Sequence, residues 1–339
     1  MQTVMVQGRV YNYSHCVGNN AVSGAGFHYP NGLARGNGQI VYVLNQPDEL
    51  QPVPHVSVVD IGNGWHEEEH IRDFGATGSE DGNFIWPAGI ALDNEGHVYI
   101  ADEWLNSISI FDSNGRFLDK WGVPGSTEGQ LGGPTGLAFD SQDNLLITEY
   151  QNHRVQKFTK DGKFIMTWGK EGSESGEFKQ PWGITVDKDD NVYVADWHND
   201  RVEKFSSNGS YLRSFGKSGT GKGELHFPSS VAVDSDGDVY VTDWWNHKLE
   251  VFDDNGTPLT TFFGDAERLS KWAQERVDSN PDAIKARLRV KSLEPDWRFN
   301  RPTAVSTGDD GKILVVESQR MRIQIYQKEK DWVEPQFNL

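Results

Sequence analysis

The sequence has little cysteine and no excess of basic residues. Cys16 is the single cysteine among 339 residues, so no internal disulfide can form and sulfur does not indicate the compartment. The 32 lysine and arginine residues are outnumbered by 50 acidic ones, which gives a net charge of −18. Because binding of phosphate groups needs a basic face, we expect neither a nucleic acid nor an anionic membrane as a partner.

Long hydrophobic runs are also missing. The N-terminal stretch contains no apolar core of signal-peptide length, and no segment approaches the roughly 20 apolar residues that span a bilayer. We therefore expect a cytoplasmic protein that does not contact a membrane.

A repeated unit accounts for most of what the sequence does contain. Its copies open at six prolines, Pro30, Pro87, Pro134, Pro181, Pro228 and Pro302. Three successive intervals between these prolines are 47 residues long, and the position fifteen residues after each proline holds Asn45, Asp102, Glu149, Asp196, Asp243 or Glu317. A period in this range with several β segments per unit is typical of a radial or stacked repeat fold.

Each unit has the pattern of four short strands. In the copy that starts at Pro181, apolar or alternating runs at 184–187, 192–196, 201–205 and 211–215 are separated by turns and loops rich in Asn, Asp and Gly. A single four-stranded sheet would keep two open edges and two wet faces. Six such sheets packed around an axis bury those faces, which predicts one all-β propeller domain over residues 1–339.

The repeat also resembles a known family. The pattern Pro-x-Gly-Ile-x-Val-Asp, followed by Val-Tyr-Val-Ala-Asp, Asn-x-x-Val-x-Phe and Gly-x-Tyr-x-x-x-Phe-Gly, is similar to the NHL repeat. The copies at 87–131, 134–178 and 181–225 match it closely. The resemblance implies a six-bladed NHL-type β-propeller of four-stranded antiparallel blades. Such propellers include enzymes, nucleic-acid binders and interaction scaffolds, so the resemblance does not select an activity.

The N-terminal segment is predicted to close the ring. The sixth unit supplies strands at 303–307, 312–316 and 322–326, and its tail from Trp332 is poorly patterned. Residues 4–18 end at the same distance before Pro30 at which an outer strand ends before Pro228. We expect this segment to form the outer strand of the last blade and to pair with 322–326, because closure removes exposed edge strands.

A long insertion at 265–299 follows the outer strand of blade 5. Leu269, Trp272, Ala273 and Val277 have helical spacing, and Asn280 followed by proline indicates the start of a second helix. This connection belongs to the same face as the loops that follow the second strands. We interpret it as a two-helix lid over one mouth of the channel; the alternative is a packing buttress.

Blade 1 contains a motif that matches a zinc-site pattern. Residues 66–70 read His-Glu-x-x-His, whose zinc chemistry needs a helix that places both histidines on one face. Here the motif enters an outermost strand, where residues four apart lie roughly 13 Å from each other. We therefore expect a charged, solvated edge instead of a metal site.

Candidate functional residues concentrate on the face that carries the loops after the second strands. They are Tyr29, Asn31, Trp86, Trp182 and Arg301, which flank the opening prolines, and Glu103, Trp104, Tyr150, Trp197, His198, Trp244, Trp245 and Arg320, which follow the second strands. Aromatic walls with a few convergent polar groups are typical of a small-molecule site. The alternative is that these rings wedge between the blades.

Two functions of different classes follow from this basin. In the first, the protein is a lyase or hydrolase that binds a small molecule: His198 is a general base or ligand, Tyr150 and Glu103 carry protons, and Arg301 and Arg320 anchor an anionic substrate. In the second, the propeller is a scaffold for a peptide or protein, which the lack of a known catalytic constellation favours. We expect a small ligand and a monomer, since a closed ring needs no partner.

The sequence neither requires nor excludes a divalent metal ion, calcium or zinc, as a cofactor. The repeated acids could bind one, but their presence in every blade favours capping of backbone N–H groups. By resemblance, peptidyl-hydroxyglycine amidating lyase binds zinc through histidines directly after the opening prolines, and these positions hold no histidine here. Gluconolactonase-type propellers use a Glu, an Asn and an Asp. The candidate ligands are His198, Asp196 and Asn31, with Glu103 as a possible fourth group.

Overall fold

Six antiparallel sheets surround a central channel in the computed structural model, which describes residues 3–48 and 53–329. The chain begins with the hairpin β1 (Thr3–Val6) and β2 (Arg9–Val17). Blade 1 consists of β3 (Pro30–Arg35), β4 (Ile40–Asn45), β5 (His55–Asp60) and β6 (Glu69–Phe74), and blade 2 of β7 (Pro87–Leu92), β8 (Val98–Asp102), β9 (Ser107–Phe111) and β10 (Phe117–Trp121). The first strand of each blade lines the channel and the last lies at the rim.

The remaining blades repeat this order. Blade 3 consists of β11 (Pro134–Phe139), β12 (Asn144–Glu149), β13 (Arg154–Thr159) and β14 (Phe164–Trp168), and blade 4 of β15 (Pro181–Val186), β16 (Val192–Asp196), β17 (Arg201–Phe205) and β18 (Tyr211–Phe215). Blade 5 consists of β19 (Pro228–Val233), β20 (Val239–Asp243), β21 (Lys248–Phe252) and β22 (Pro258–Phe262), and blade 6 of β23 (Pro302–Thr307), β24 (Lys312–Glu317), β25 (Arg322–Lys328) and β2. The six-bladed all-β prediction is confirmed.

The core lies between neighbouring blades. Second strands such as Val98–Asp102 and Val192–Asp196 are buried over their whole length, because a blade on each side covers them. Rings from adjacent blades fill the gaps: Phe111 contacts Phe74 with 5.0 Å between ring centroids and Phe84 with 5.7 Å. Burial of one such side chain stabilises the fold by about 1.5–3 kcal/mol.

The N-terminal strand closes the ring as predicted. Strand β2 pairs antiparallel with β25, and Val17 lies opposite Ile323. The structure refines the prediction in one respect, since a turn at Gln7 and Gly8 folds residues 3–6 back as a fifth strand. Arg9 anchors this closure, because its Nε and Nη2 donate to the buried carboxylate of Asp238 in blade 5 over 2.8 Å and 2.7 Å.

The insertion contains three helices, α1 (Lys271–Asp278), α2 (Pro281–Arg289) and the short α3 (Glu294–Trp297). The ring of Trp272 packs against Phe27 at 6.2 Å, and Ser270 Oγ donates to the carbonyl of Gly18 over 2.6 Å. Helix α1 therefore rests on the junction of blades 6 and 1, in agreement with the buttress alternative. The lid stays a prediction. No helix in the described residues is long and apolar enough to cross a membrane.

The His-Glu-x-x-His segment of blade 1 forms part of this support. His66 is exposed with a φ of 66°, and His70 Nε2 lies 2.9 Å from Asp73. Glu68, however, is fully buried and accepts from the backbone N–H of Trp272 over 3.3 Å. The expectation of a plain solvated edge was thus wrong for Glu68, because the insertion covers it.

Candidate functional site

The acids that end the second strands cap the loops that lead into their own blades. Asp102, Glu149, Asp196, Asp243 and Glu317 are at most 1 % exposed. Each accepts a backbone N–H from the residue seventeen positions earlier, and these contacts are 2.7–3.2 Å long. In blades 3 to 6 each acid also pairs with a basic residue, namely Arg154, Arg201, Lys248 and Arg322. This agrees with the capping interpretation of the repeated acids.

Blade 1 replaces this acid–base pair with an amide and an imidazole. Asn45 stands in the place of the acid, and His55 in the place of the basic residue. His55 and His28 are each 3 % exposed. Within the described residues, Nε2 of His55 and both ring nitrogens of His28 have no hydrogen-bond partner, although His28 Nε2 lies 3.4 Å from Asp48 Oδ2. Burial lowers the pKa of His28, so this ring is held neutral.

Residues directly after the opening prolines bridge neighbouring blades. Asn31 Nδ2 donates to the carbonyl of Ala88 over 3.2 Å, and Thr303 Oγ1 donates to the carbonyl of Pro30 over 3.0 Å. Ser229 makes the same contact with the carbonyl of Pro302 over 2.9 Å. The amide of Asn31 is therefore used in joining blades 1 and 2.

Six rings form a continuous aromatic arc across blades 3, 4 and 5. The members of this aromatic arc are Tyr150, Trp182, Trp197, Phe227, Trp244 and Trp245. Contacting ring centroids within it lie 5.3–6.0 Å apart, and Trp197 contacts Trp182, Phe227 and Trp244. Trp197 stacks on Phe227 with an interplanar angle of 12°, and Trp245 remains 53 % exposed. The arc therefore combines rings that pack against each other between blades with exposed ring surface on Trp245.

Arg301 ends the arc on the side of blade 6. Its guanidinium carbon lies 4.4 Å from the ring centroid of Trp244, in cation–π geometry. Its backbone N–H donates to His247 Nδ1 over 3.0 Å, which fixes the loop. Arg320 is directed elsewhere, because its Nη1 lies 3.1 Å from Asp296 in the insertion and its Nη2 donates to the carbonyl of Pro295.

The other predicted aromatic residues lie outside the arc. Tyr29 in blade 1 packs edge-on against His28 with ring centroids 5.0 Å apart. Trp86 and Trp104 in blade 2 are exposed, the latter by 71 % of its surface, and neither shows a ring contact within the described residues. The structure thus separates the predicted basin into an ordered arc on blades 3 to 5 and isolated rings on blades 1 and 2.

Three residues at this face carry candidate proton chemistry. Burial raises the pKa of Glu103 to about 7, the nearby charge of Asp102 adds to the effect, and Glu103 Oε2 is buried without a hydrogen-bond partner in the described residues. Tyr150 Oη accepts from Gln151 Nε2 over 2.9 Å. His198 is exposed with its ring edge on Phe227 at 5.1 Å, and partial burial lowers its pKa.

Repeat symmetry places these groups around one mouth of the channel. The position directly after the second-strand cap holds Gln46, Glu103, Tyr150, Trp197, Trp244 and Ser318 in blades 1 to 6. This ring of positions is therefore aromatic on blades 3 to 5 and polar on blades 6, 1 and 2. Below it, the channel encloses about 370 Å³ between the six inner strands.

The metal candidates are engaged in other contacts. Asp196 accepts from Lys179 N, Asn199 Nδ2 and Arg201 Nε, and burial raises its pKa. Among the described residues, no three His, Cys, Asp or Glu side chains are grouped so that they could hold a metal ion.

His226, beside Phe227, was not predicted from the sequence as a residue of the site. His226 stacks on Phe227 with centroids 4.2 Å apart, and its Nδ1 lies 3.2 Å from Asp200 Oδ1. Its position two residues before an opening proline is the sequence feature that could have placed it at this face.

Comparison with known proteins agrees with the repeat pattern. A family profile described as "NHL repeat" matches residues 84–111, 131–158, 178–205 and 225–252. "Protein lin-41" of Caenorhabditis elegans is 38 % identical over 69 residues, which are 19 % of this chain and 6 % of that protein. The chain therefore corresponds to a small part of this curated relative.

Solved structures with the same fold cover almost the whole chain. A structural genomics protein of unknown function from Bacteroides thetaiotaomicron has a TM-score of 0.61 at 17 % identity, covering 95 % of this chain and 76 % of that one. A streptogramin B lyase has a TM-score of 0.56 at 12 % identity, covering 94 % and 98 %. Virginiamycin B lyase of Staphylococcus aureus with quinupristin scores 0.55 at 15 % identity, covering 94 % and 99 %. At these identities the similarity shows the fold alone.

Proposed function

Because this chain is a six-bladed β-propeller built on NHL repeats, we propose that it binds a small molecule on the aromatic arc at one mouth of its channel. The observation that carries this proposal is the unbroken series of ring contacts from Tyr150 to Trp244, which ends in a guanidinium over the last ring. Trp245 adds a ring beside Trp244 that is about half exposed, so part of the ring surface is open to a ligand.

The polar half of the mouth completes the site. Gln46, Glu103 and Ser318 occupy positions equivalent to those of the arc, so a ligand on the rings has polar groups on its other side. Within this site Glu103 is the group best suited to proton transfer, because a carboxyl with a pKa of about 7 is populated in both protonation states near neutral pH. We include lyase or hydrolase chemistry in the proposal, with Glu103, Tyr150 and His198 as its candidate proton carriers.

A screen of aromatic fragments by ligand-observed NMR tests the binding proposal. Fragments that bind the native protein should lose their signal with Trp245→Ala and His198→Ala. They should keep it with Trp104→Ala, a matched control that removes an exposed tryptophan outside the arc. The proposal would be contradicted if fragments still bound the Trp245→Ala variant, or if they lost binding to the Trp104→Ala variant.

A protein- or peptide-binding scaffold is the second candidate. Its specific support is the exposure of Trp104 and Trp245 on one face, since large exposed aromatic side chains often anchor protein interfaces. In that case Trp104→Ala and Trp245→Ala should both weaken capture of a partner protein, and no small fragment should bind on the arc.

A further inference from the structure

A cavity beside the end of the arc bears on the chemical class of the ligand. It encloses about 520 Å³ between the insertion and blades 5 and 6. Eight described residues line this insertion cavity, among them Arg298 and Arg320. Arg298 pairs with Glu294 over 2.7 Å, and Arg320 pairs with Asp296 over 3.1 Å. These carboxylates balance part of the positive charge, so the case for an anionic ligand rests on the donor groups that the two ion pairs leave unused.

Two lining residues of this cavity, Arg320 and His247, have donor groups that are not used in the contacts described above. Arg320 Nε is buried and has no hydrogen-bond partner within the described residues, although Asp296 and the carbonyl of Pro295 hold the two terminal nitrogens. A buried donor without a partner costs about 1–3 kcal/mol, so an acceptor supplied there is favoured. His247 Nδ1 accepts from the backbone of Arg301, so the neutral ring carries its proton on Nε2 as a second donor.

The apolar part of the lining fits an organic ligand. Phe263 is 50 % exposed beside the cavity, and Phe299 is buried behind it. His247 is three residues after Trp244, and the residue that its ring holds, Arg301, lies over that same tryptophan. The insertion cavity therefore lies next to the end of the aromatic arc.

We propose that the ligand of this face is an organic acid with an aromatic or other flat apolar body, whose carboxylate binds Arg320, with His247 and Arg298 beside it in the insertion cavity. The proposal rests on the function assigned to the aromatic arc and adds the chemical class of the ligand. It also assigns a role to the insertion, since Phe263, Arg298 and Phe299 lie within it or at its edge.

Matched probes test the charge preference. We would measure the affinities of 3-phenylpropionate and its neutral amide, 3-phenylpropionamide, by isothermal titration. The acid should bind at least about tenfold more tightly than the amide, since hydrogen bonds to charged groups contribute about 1.5–3 kcal/mol. Arg320→Gln should remove this difference, whereas Arg289→Gln on the exposed helix α2 changes the net charge equally and should leave it intact.

A second variant covers the case in which Arg320→Gln disturbs the insertion. Phe263→Glu introduces a carboxylate at an exposed position of the cavity, keeps Arg320, and should abolish the preference for the acid. Equal binding of acid and amide to the native protein would overturn the inference while leaving the arc as the binding surface. Binding of either probe that does not respond to Trp245→Ala would instead refute the proposed function.

Discussion

Replacing Gly89 by alanine should destabilise the propeller far more than the same change at Gly32. Both glycines are the third residue of the Pro-x-Gly motif on an inner strand, and neither has a positive φ. A Cβ on Gly89 would lie 1.9 Å from the carbonyl oxygen of Thr135 in the next blade, whereas a Cβ on Gly32 would lie 3.0 Å from a methyl group of Ile90. The first neighbour is backbone, and the second is a side chain that can move.

The expected magnitudes follow from these contacts. Ordinary carbon–oxygen contacts are about 3.3 Å, so the two strands beside Gly89 must separate by roughly 1.4 Å. Overpacking of this kind costs about 3 kcal/mol, and the lower entropy of the unfolded alanine chain offsets about 0.4–1 kcal/mol. The net loss at Gly89 is about 2–3 kcal/mol, while at Gly32 the same terms leave a change within about 1 kcal/mol of zero.

Urea unfolding followed by tryptophan fluorescence measures this difference. Both variants should keep the native m-value, and only Gly89→Ala should show a clearly lower midpoint. Equal midpoints for the two variants would refute the account in which glycine at this position allows inner strands of adjacent blades to approach closely.

Three further predictions concern charge and the insertion. Burial lowers the folded-state pKa of His28, so the unfolded chain takes up the proton first; stability should fall as pH drops below about 6.5, and His28→Phe should reduce this loss in urea midpoints at pH 7.5 and 5.5. Glu103 has the opposite sign: its folded pKa is raised from 4.5 to about 7, so the unfolded chain ionises first and stability is lost as pH rises from about 4.5 to about 7. Glu103→Gln should therefore raise the urea midpoint at pH 8 but not at pH 4. Trp272→Ala should lower the melting temperature of the propeller and expose the insertion to limited proteolysis, because Trp272 is the buried residue of α1 and packs on Phe27. Native melting and proteolysis at the native rate would contradict the buttress.

The fold could be predicted because its information is local and repeated. The 47-residue spacing, the apolar second strands and the Asp turns recur, and each copy supports the assignment of the others. The closing strand followed from the same register. The turn at Gln7 that folds residues 3–6 back could not be predicted in this way, because no other blade contains an equivalent hairpin among the described residues.

The insertion could not be placed from sequence, because its position depends on contacts between distant segments. Trp272 packs on Phe27 and binds Glu68 through its backbone, about two hundred residues away along the chain. Helical spacing indicated the helices but not where they rest. For the same reason Glu68, flanked by charged residues, was expected in solvent and is buried.

The site was predictable as a set of positions but not as a set of contacts. The repeat register placed Tyr150, Trp197 and Trp244 on one face, and these rings do touch their neighbours there. The same register could not show that the Asn31 amide donates a hydrogen bond to the next blade, or that Arg320 forms an ion pair with Asp296. Those outcomes depend on the side-chain partners that the folded ring brings close.

The measurement that most directly tests the aromatic arc as a ligand surface is fluorine NMR of protein labelled with 5-fluorotryptophan. The resonances are assigned with single Trp→Phe variants and titrated with 3-phenylpropionate and 3-phenylpropionamide. The account predicts shifts at Trp182, Trp197, Trp244 and Trp245, and none at Trp121 and Trp168 in the outer strands. Shifts confined to the outer strands, or unchanged spectra at saturating probe, would contradict it.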